Sequence, residues 1–132
     1  MILSRSFYID TTKGVDILNI SHEVRRVVRE AKVDQGWVIV MAPWEGAAFT
    51  VMENTGKKAE KIKSTLESFL SNGLADCLLS KTQIVPIRGG DLMVDPWQSV
   101  YLIDYEAAAK RREYFVQLYG EDKKEGADKK NE

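Results

Sequence analysis

Residues 83–105, QIVPIRGGDLMVDPWQSVYLIDY, constrain the fold more than any other stretch of the chain. They read as a strand, a Gly-Gly turn, a short strand, a proline-containing turn and a long strand. Gly89-Gly90 supplies the positive φ of a tight turn, and Asp95-Pro96 suits a second turn because proline fixes φ and has no amide hydrogen to donate. Between and after the turns lie Ile84, Val85, Ile87, Val94, Val100, Tyr101, Ile103 and Tyr105, the β-branched and aromatic types that fit a pleated surface. The segment is expected to form the centre of a sheet.

The flanking chain supplies more strands and two helices. Ile2 to Asp10 alternates as a half-buried strand, residues 11–14 turn it, and Val15 to Leu18 is a short second strand. Ser21 is placed to cap a helix whose apolar set, Val24, Val27, Val28 and Ala31, recurs at helical spacing, with Arg25, Arg26 and Arg29 on the wet face. Trp37 to Met41 is a continuous apolar run of the kind expected of a strand covered on both faces. Residues 42–46 break it, and Ala47 to Glu53 resumes extended structure. Asn54 or Thr55 can cap a second helix carrying Ala59, Ile62, Leu66, Phe69 and Leu70 on one stripe, which packs on the sheet. Ser71-Asn72-Gly73 stops that helix, Leu74 to Leu79 reads as one more helical turn, and Cys77 as a small buried hydrophobe. Ala107 to Arg112 is a link, Glu113 to Tyr119 the last strand, and Gly120 the end of the fold. Residues 121–132 hold no large apolar group and cannot offset the entropy of ordering, so they are expected as a disordered, charged tail after a single domain over 1–120. The fold class is therefore α+β, with mainly antiparallel sheets and two main helices.

At 132 residues one core suffices without staples. Nineteen basic residues against twenty acidic ones give no global field for nucleic acid or an anionic membrane. One cysteine cannot form an internal disulfide, no apolar run approaches a membrane span, and no signal-like segment opens the chain, so a reducing cytoplasm is the expected home.

Familiar catalytic patterns fail. Gly56-Lys57 has Val51 where a phosphate-binding loop needs its first glycine and Lys58 where it needs Ser or Thr. Arg88-Gly89-Gly90-Asp91 joins strand to strand, which is not a dinucleotide fingerprint. His22 is the only histidine, with no second histidine or cysteine near it in sequence; it reads as a surface residue, and neither a metal nor a cofactor is implied. Lys57 and Lys58 sit where a helix dipole is already positive. With the amides of residues 54–57 they can attract a phosphate, although lysines pointing into water explain the same residues. Asp104 interrupts an apolar strand and needs a partner if buried, for which Arg111 or Arg112 is the nearest candidate.

Two stretches together resemble the YjbQ family. WEGAAFTVMEN matches the strand and the Glu53-Asn54 end of that family's H-T-[ST]-A…N-E-N motif, and Gly90, Trp97-Gln98, Asp104, Arg111-Arg112 and Gly120 follow its later order; the resemblance covers most of the chain from Ile2 to Gly120. The resemblance implies a homotrimer and a secondary thiamine-phosphate synthase activity. It also implies Glu53, Gln98 and Asp104 as catalytic candidates with Arg111 and Arg112 beside them; the start of the second helix, Asn54, Thr55, Lys57 and Lys58, and those two arginines are the expected contacts to a phosphate-bearing small molecule. The departures matter more. The family's motif histidine falls on Trp44, a second falls near Gly73, and the histidine-bearing segment before it is reduced to Ser71-Asn72. Without imidazole the usual proton carrier is gone. Two expectations follow: a catalytically impaired binding or structural module, or an enzyme acting on a phosphorylated small molecule through Glu53, Gln98, Asp104 and an arginine.

Overall fold

The computed structural model describes residues 1–69 and 79–122. In chain order the elements are β1 (Ile2–Asp10), β2 (Asp16–Asn19), α1 (Ser21–Ala31), β3 (Val33–Met41), β4 (Ala47–Glu53), α2 (Gly56–Phe69), β5 (Thr82–Arg88), β6 (Asp91–Leu92), β7 (Gln98–Asp104) and β8 (Arg111–Asp122). They form two antiparallel sheets, one in the order β1-β8-β3-β5-β6 and the other β2-β7-β4. The α+β class, with two helices among the described residues, is as expected.

The inner face of the larger sheet presents Val38, Val40, Val85, Ile87, Val116 and Leu118 to one core. Against it lie Val24, Val27 and Val28 of α1, and Phe49, Val100 and Leu102 of the smaller sheet. Full burial of each such aliphatic side chain contributes about 2 kcal/mol, which is why the 3.6-residue stripe on α1 decides its placement. The opposite face of the smaller sheet is covered by α2, whose Leu66 packs with Val15, Ala48, Ile103 and Tyr105.

Several expectations change. The 83–105 segment is not one sheet centre. Its hairpin, turned by Gly89 and Gly90 at positive φ, forms the β5-β6 edge of the large sheet, and only β7 is central, in the other sheet. The Asp95-Pro96 turn is what carries the chain across, closed by the Gln98 amide donating to Asp95 O at 2.9 Å. Ser21 does not cap α1. Ile20 occupies that place without a side-chain bond, and Ser21 Oγ accepts from the Val100 amide at 2.7 Å, tying the helix to β7. Strand β3 is longer than Trp37 to Met41 and is covered on one face only, since Val38 and Val40 are buried while Trp37 and Met41 are exposed. Arg111 and Arg112 belong to β8 rather than to a link, and Gly120 does not end the fold: the strand runs to Asp122. A Cβ at Gly120 would sit 2.8 Å from Val33 Cγ1, so glycine is needed there for the strands to close over Val33. Leu70 to Leu78, with Cys77 and Gly73, and the tail from 123 lie outside the described residues.

The register also aligns three rows on the outer face of the large sheet: Ile2, Tyr119, Trp37 and Pro86; then Ser4, Gln117, Ile39 and Ile84; then Ser6, Phe115, Met41 and Thr82. Trp37 and Tyr119 stack at 4.7 Å between ring centroids, and Gln117 Nε2 donates to Ser4 Oγ at 3.1 Å.

Candidate functional site

Asp104 is the last residue of β7, paired with Asp16 of β2 on one side and Ala47 of β4 on the other. It is fully buried, at 0% exposure. Its partner is not an arginine, as expected, but Trp44: the indole Nε1–H donates to Asp104 Oδ1 at 3.0 Å. That contact depends on Gly46, which has φ +83° and whose carbonyl accepts from the Tyr105 amide at 2.6 Å. A Cβ there would lie 2.6 Å from the Glu106 nitrogen, so only glycine lets the 42–46 loop approach the end of β7 this closely.

Arg112, itself 9% exposed, gives its NH2 group to Glu106 and holds its guanidinium carbon 5.2 Å above the Trp44 ring. Lys110 Nζ adds a second contact to Glu106 at 3.2 Å, and Ala107 beside it takes the left-handed φ of +60°. Trp44 is thus clasped between a carboxylate at its edge and a cation on its face. Burial pushes the Asp104 carboxyl up; the Trp44 bond, the nearby Glu106 amide and Arg112 pull it back down in part, and Asp16 adds to the rise. Asp104 Oδ2 and Arg112 Nε are buried without a hydrogen-bond partner among the described residues.

The other candidates lie elsewhere. Glu53 pairs with Gln98 at the far end of the same strands, six residues from the Ala47–Asp104 pair, or about 20 Å. Glu53 is exposed, and Gln98 Oε1 accepts from the Asp95 amide at 3.0 Å, so its side chain braces the turn. Asn54 Oδ1 accepts from Tyr101 OH at 2.8 Å, and Thr55 caps α2, its Oγ1 accepting from the Lys58 amide at 3.2 Å. Of the amides expected to hold an anion, that of Asn54 already donates to Trp97 O and that of Thr55 to Glu53 O. Lys57, Lys58 and Lys61 line a shallow depression there with Glu53 and Thr55. Arg111 is exposed at the opposite end, stacked 4.7 Å over Tyr8. One chain therefore brings together Glu53, Gln98 and the lysines, and separately Asp104, Arg112 and Trp44. Glu106 had no signal in the sequence, and the Trp44–Asp104 contact had only the alignment of Trp44 with a family histidine. His22 is exposed, 3.4 Å from Arg26, and among the described residues no group of three or more His, Cys, Asp or Glu is placed to hold a metal.

The profile of the family described as "UPF0047 protein YjbQ-like" matches residues 5–76 and 71–121. A UPF0047 protein of Methanocaldococcus jannaschii is 23% identical, over 87% of this chain and 93% of its own length. The UPF0047 protein YugU of Bacillus subtilis is 22% identical over 86% and 98% respectively. A crystal structure of a YbjQ-like protein of unknown function from Sulfolobus solfataricus superposes with a TM-score of 0.82 at 18% identity, covering 92% of this chain and 99% of that one.

Proposed function

This chain belongs to the YjbQ-like UPF0047 family, and we propose that it is a member whose acid–base centre is closed, acting as a binding or structural module rather than as an enzyme. The observation that carries the reading is the Trp44 Nε1–H to Asp104 bond at zero carboxylate exposure. The positions that the resemblance gives to a histidine, a carboxylate and an arginine do converge. In place of imidazole, however, stands an indole, which donates one hydrogen bond and accepts no proton near neutral pH. The carboxylate it caps is out of reach of a substrate, and the arginine beside it is taken by Glu106. The thiamine-phosphate synthase activity linked to the family through the resemblance is accordingly absent or vestigial. The module works as a homotrimer in the cytoplasm; the uncovered apolar face of the large sheet supports the first point and the lone cysteine the second.

Complementation tests this. Cells lacking thiamine-phosphate synthase and expressing this protein are expected not to grow without thiamine, whereas a histidine-bearing family member permits growth. Growth on the unmodified protein would overturn the reading. The alternative, an enzyme on a phosphorylated small molecule, draws support from Lys57, Lys58 and Lys61, which line one depression at the start of α2. Inorganic phosphate shifting the amide resonances of Gly56 and Lys57 at millimolar concentration would favour it.

A further inference from the structure

We propose that the end of the sandwich binds an internal water molecule that bridges Asp104 Oδ2 and Arg112 Nε. Strand alternation brings the two groups together from different sheets. Asp104 follows Val100 and Leu102 on the face of β7 that meets the core, and Arg112 precedes Tyr114, Val116 and Leu118 on the inner face of β8. Both then rest on one indole: Trp44 Nε1 lies 3.0 Å from Asp104 Oδ1, and the Arg112 guanidinium carbon lies 5.2 Å from the centre of the Trp44 ring. One half of each group is accounted for, since Oδ1 takes the indole hydrogen and the Arg112 NH2 group takes Glu106. Oδ2 and Nε, both buried, find no partner among the described residues. At 0% and 9% exposure the two side chains have lost their hydration with nothing in exchange at these atoms. Buried polar atoms of folded proteins almost always have a partner, and where the chain supplies none an ordered water does.

The chemistry of the two atoms selects the ligand. An ionised Oδ2 only accepts hydrogen bonds and Nε–H only donates, so what lies between them must donate to one and accept from the other. An anion would meet Asp104 and Glu106, and a cation would meet Arg112 and Lys110, whose Nζ is 3.2 Å from Glu106. The two signs balance within the clasp and recruit neither. A neutral ligand with one donor and one acceptor remains, and burial limits it to the smallest. The Glu106 amide is close enough to pull the Asp104 pKa down in part, yet makes no hydrogen bond to Oδ2, so the peptide after β7 does not seal that oxygen itself. Through Asp104 the water holds the end of β7 and through Arg112 the start of β8, joining the smaller sheet to the larger. The water rests on the geometry of the clasp and not on the loss of activity, so its failure to appear would leave the growth test untouched.

NMR on the isotope-labelled full chain is the test. The Arg112 Nε–H, assigned through its side-chain carbons, is expected to show a cross-peak to water of opposite sign in NOESY and ROESY spectra, the mark of direct contact with a long-lived water. No cross-peak, or one of the same sign in both, which marks proton exchange with solvent, overturns the proposal. Asp104→Leu removes the acceptor and is expected to lose the cross-peak, whereas an unchanged cross-peak overturns Oδ2 as the second partner. If that variant does not fold, a crystal structure of the wild type decides the second partner. Electron density for a water within about 3.2 Å of both atoms is expected, and a direct Oδ2–Nε contact, or no peak that touches both, overturns the bridge.

Discussion

Replacing Trp44 with phenylalanine keeps an aromatic ring beneath Arg112 and removes the Nε1–H that reaches Asp104 at 3.0 Å, together with part of the indole's volume, a loss that the double-variant cycle below subtracts. A hydrogen bond to a charged group contributes about 1.5–3 kcal/mol, and a buried acceptor left without its donor forfeits that in full. With Asp104 wholly buried and Oδ2 already unpartnered, the upper part of the range applies. We expect a loss of about 2–3 kcal/mol at pH 7, or a fall in Tm near 10 °C for a domain of this size. The sign with pH follows from the carboxyl being raised in the folded state. A raised carboxyl favours folding below its unfolded value, near 3.9, and that contribution is lost as pH rises through the higher folded value. Trp44 opposes the rise, so its removal widens the interval over which stability falls with pH. The penalty of Trp44→Phe is therefore larger at pH 8 than at pH 4.5. Urea unfolding of wild type, Trp44→Phe, Asp104→Asn and the double variant at both pH values gives the coupling energy directly. A coupling below about 0.5 kcal/mol, or a penalty independent of pH, would refute the account of the clasp.

Three further outcomes are expected. Gly46→Ala combines positive φ with a Cβ 2.6 Å from the Glu106 nitrogen and should cost more than about 2 kcal/mol, whereas Gly14→Ala, with nothing within 4 Å, should be close to neutral in the same thermal melts. Thr55→Ala removes the cap on the Lys58 amide and should lower stability by about 1 kcal/mol without changing the oligomer. Elemental analysis after mild chelation should find no stoichiometric transition metal; one zinc per chain would require a ligand set built on carboxylates.

Local pattern carried the sequence reading where one element decides its own fate. The stripe Val24, Val27, Val28 and Ala31 is buried on α1 as its spacing requires, and Gly89-Gly90 turns the β5-β6 hairpin at positive φ. The reading failed where a distant residue competed for the same atom. Ser21 has the right type and place for a cap, yet the Val100 amide, 79 residues away, takes its hydroxyl. The run Trp37 to Met41 looks doubly covered because its outward residues are apolar as well, yet Trp37 and Met41 are exposed and only Val38 and Val40 reach the core. At the site, Asp104 was recognisable as a carboxylate in need of a donor, but the indole that supplies it lies 60 residues upstream, brought in by Gly46. The family resemblance also grouped Glu53, Gln98 and Asp104, and the strand direction then sets Asp104 about 20 Å from the Glu53–Gln98 pair.

Thiamine phosphate formation by the purified protein, followed beside a histidine-bearing family member under the same conditions, tests the closed centre most directly. The account predicts no product above the enzyme-free background for the wild type and for Asp104→Asn alike, because the buried carboxylate plays no part in proton transfer. Product from the wild type that disappears in Asp104→Asn would contradict it, and would make the Trp44–Asp104 pair a working catalytic element.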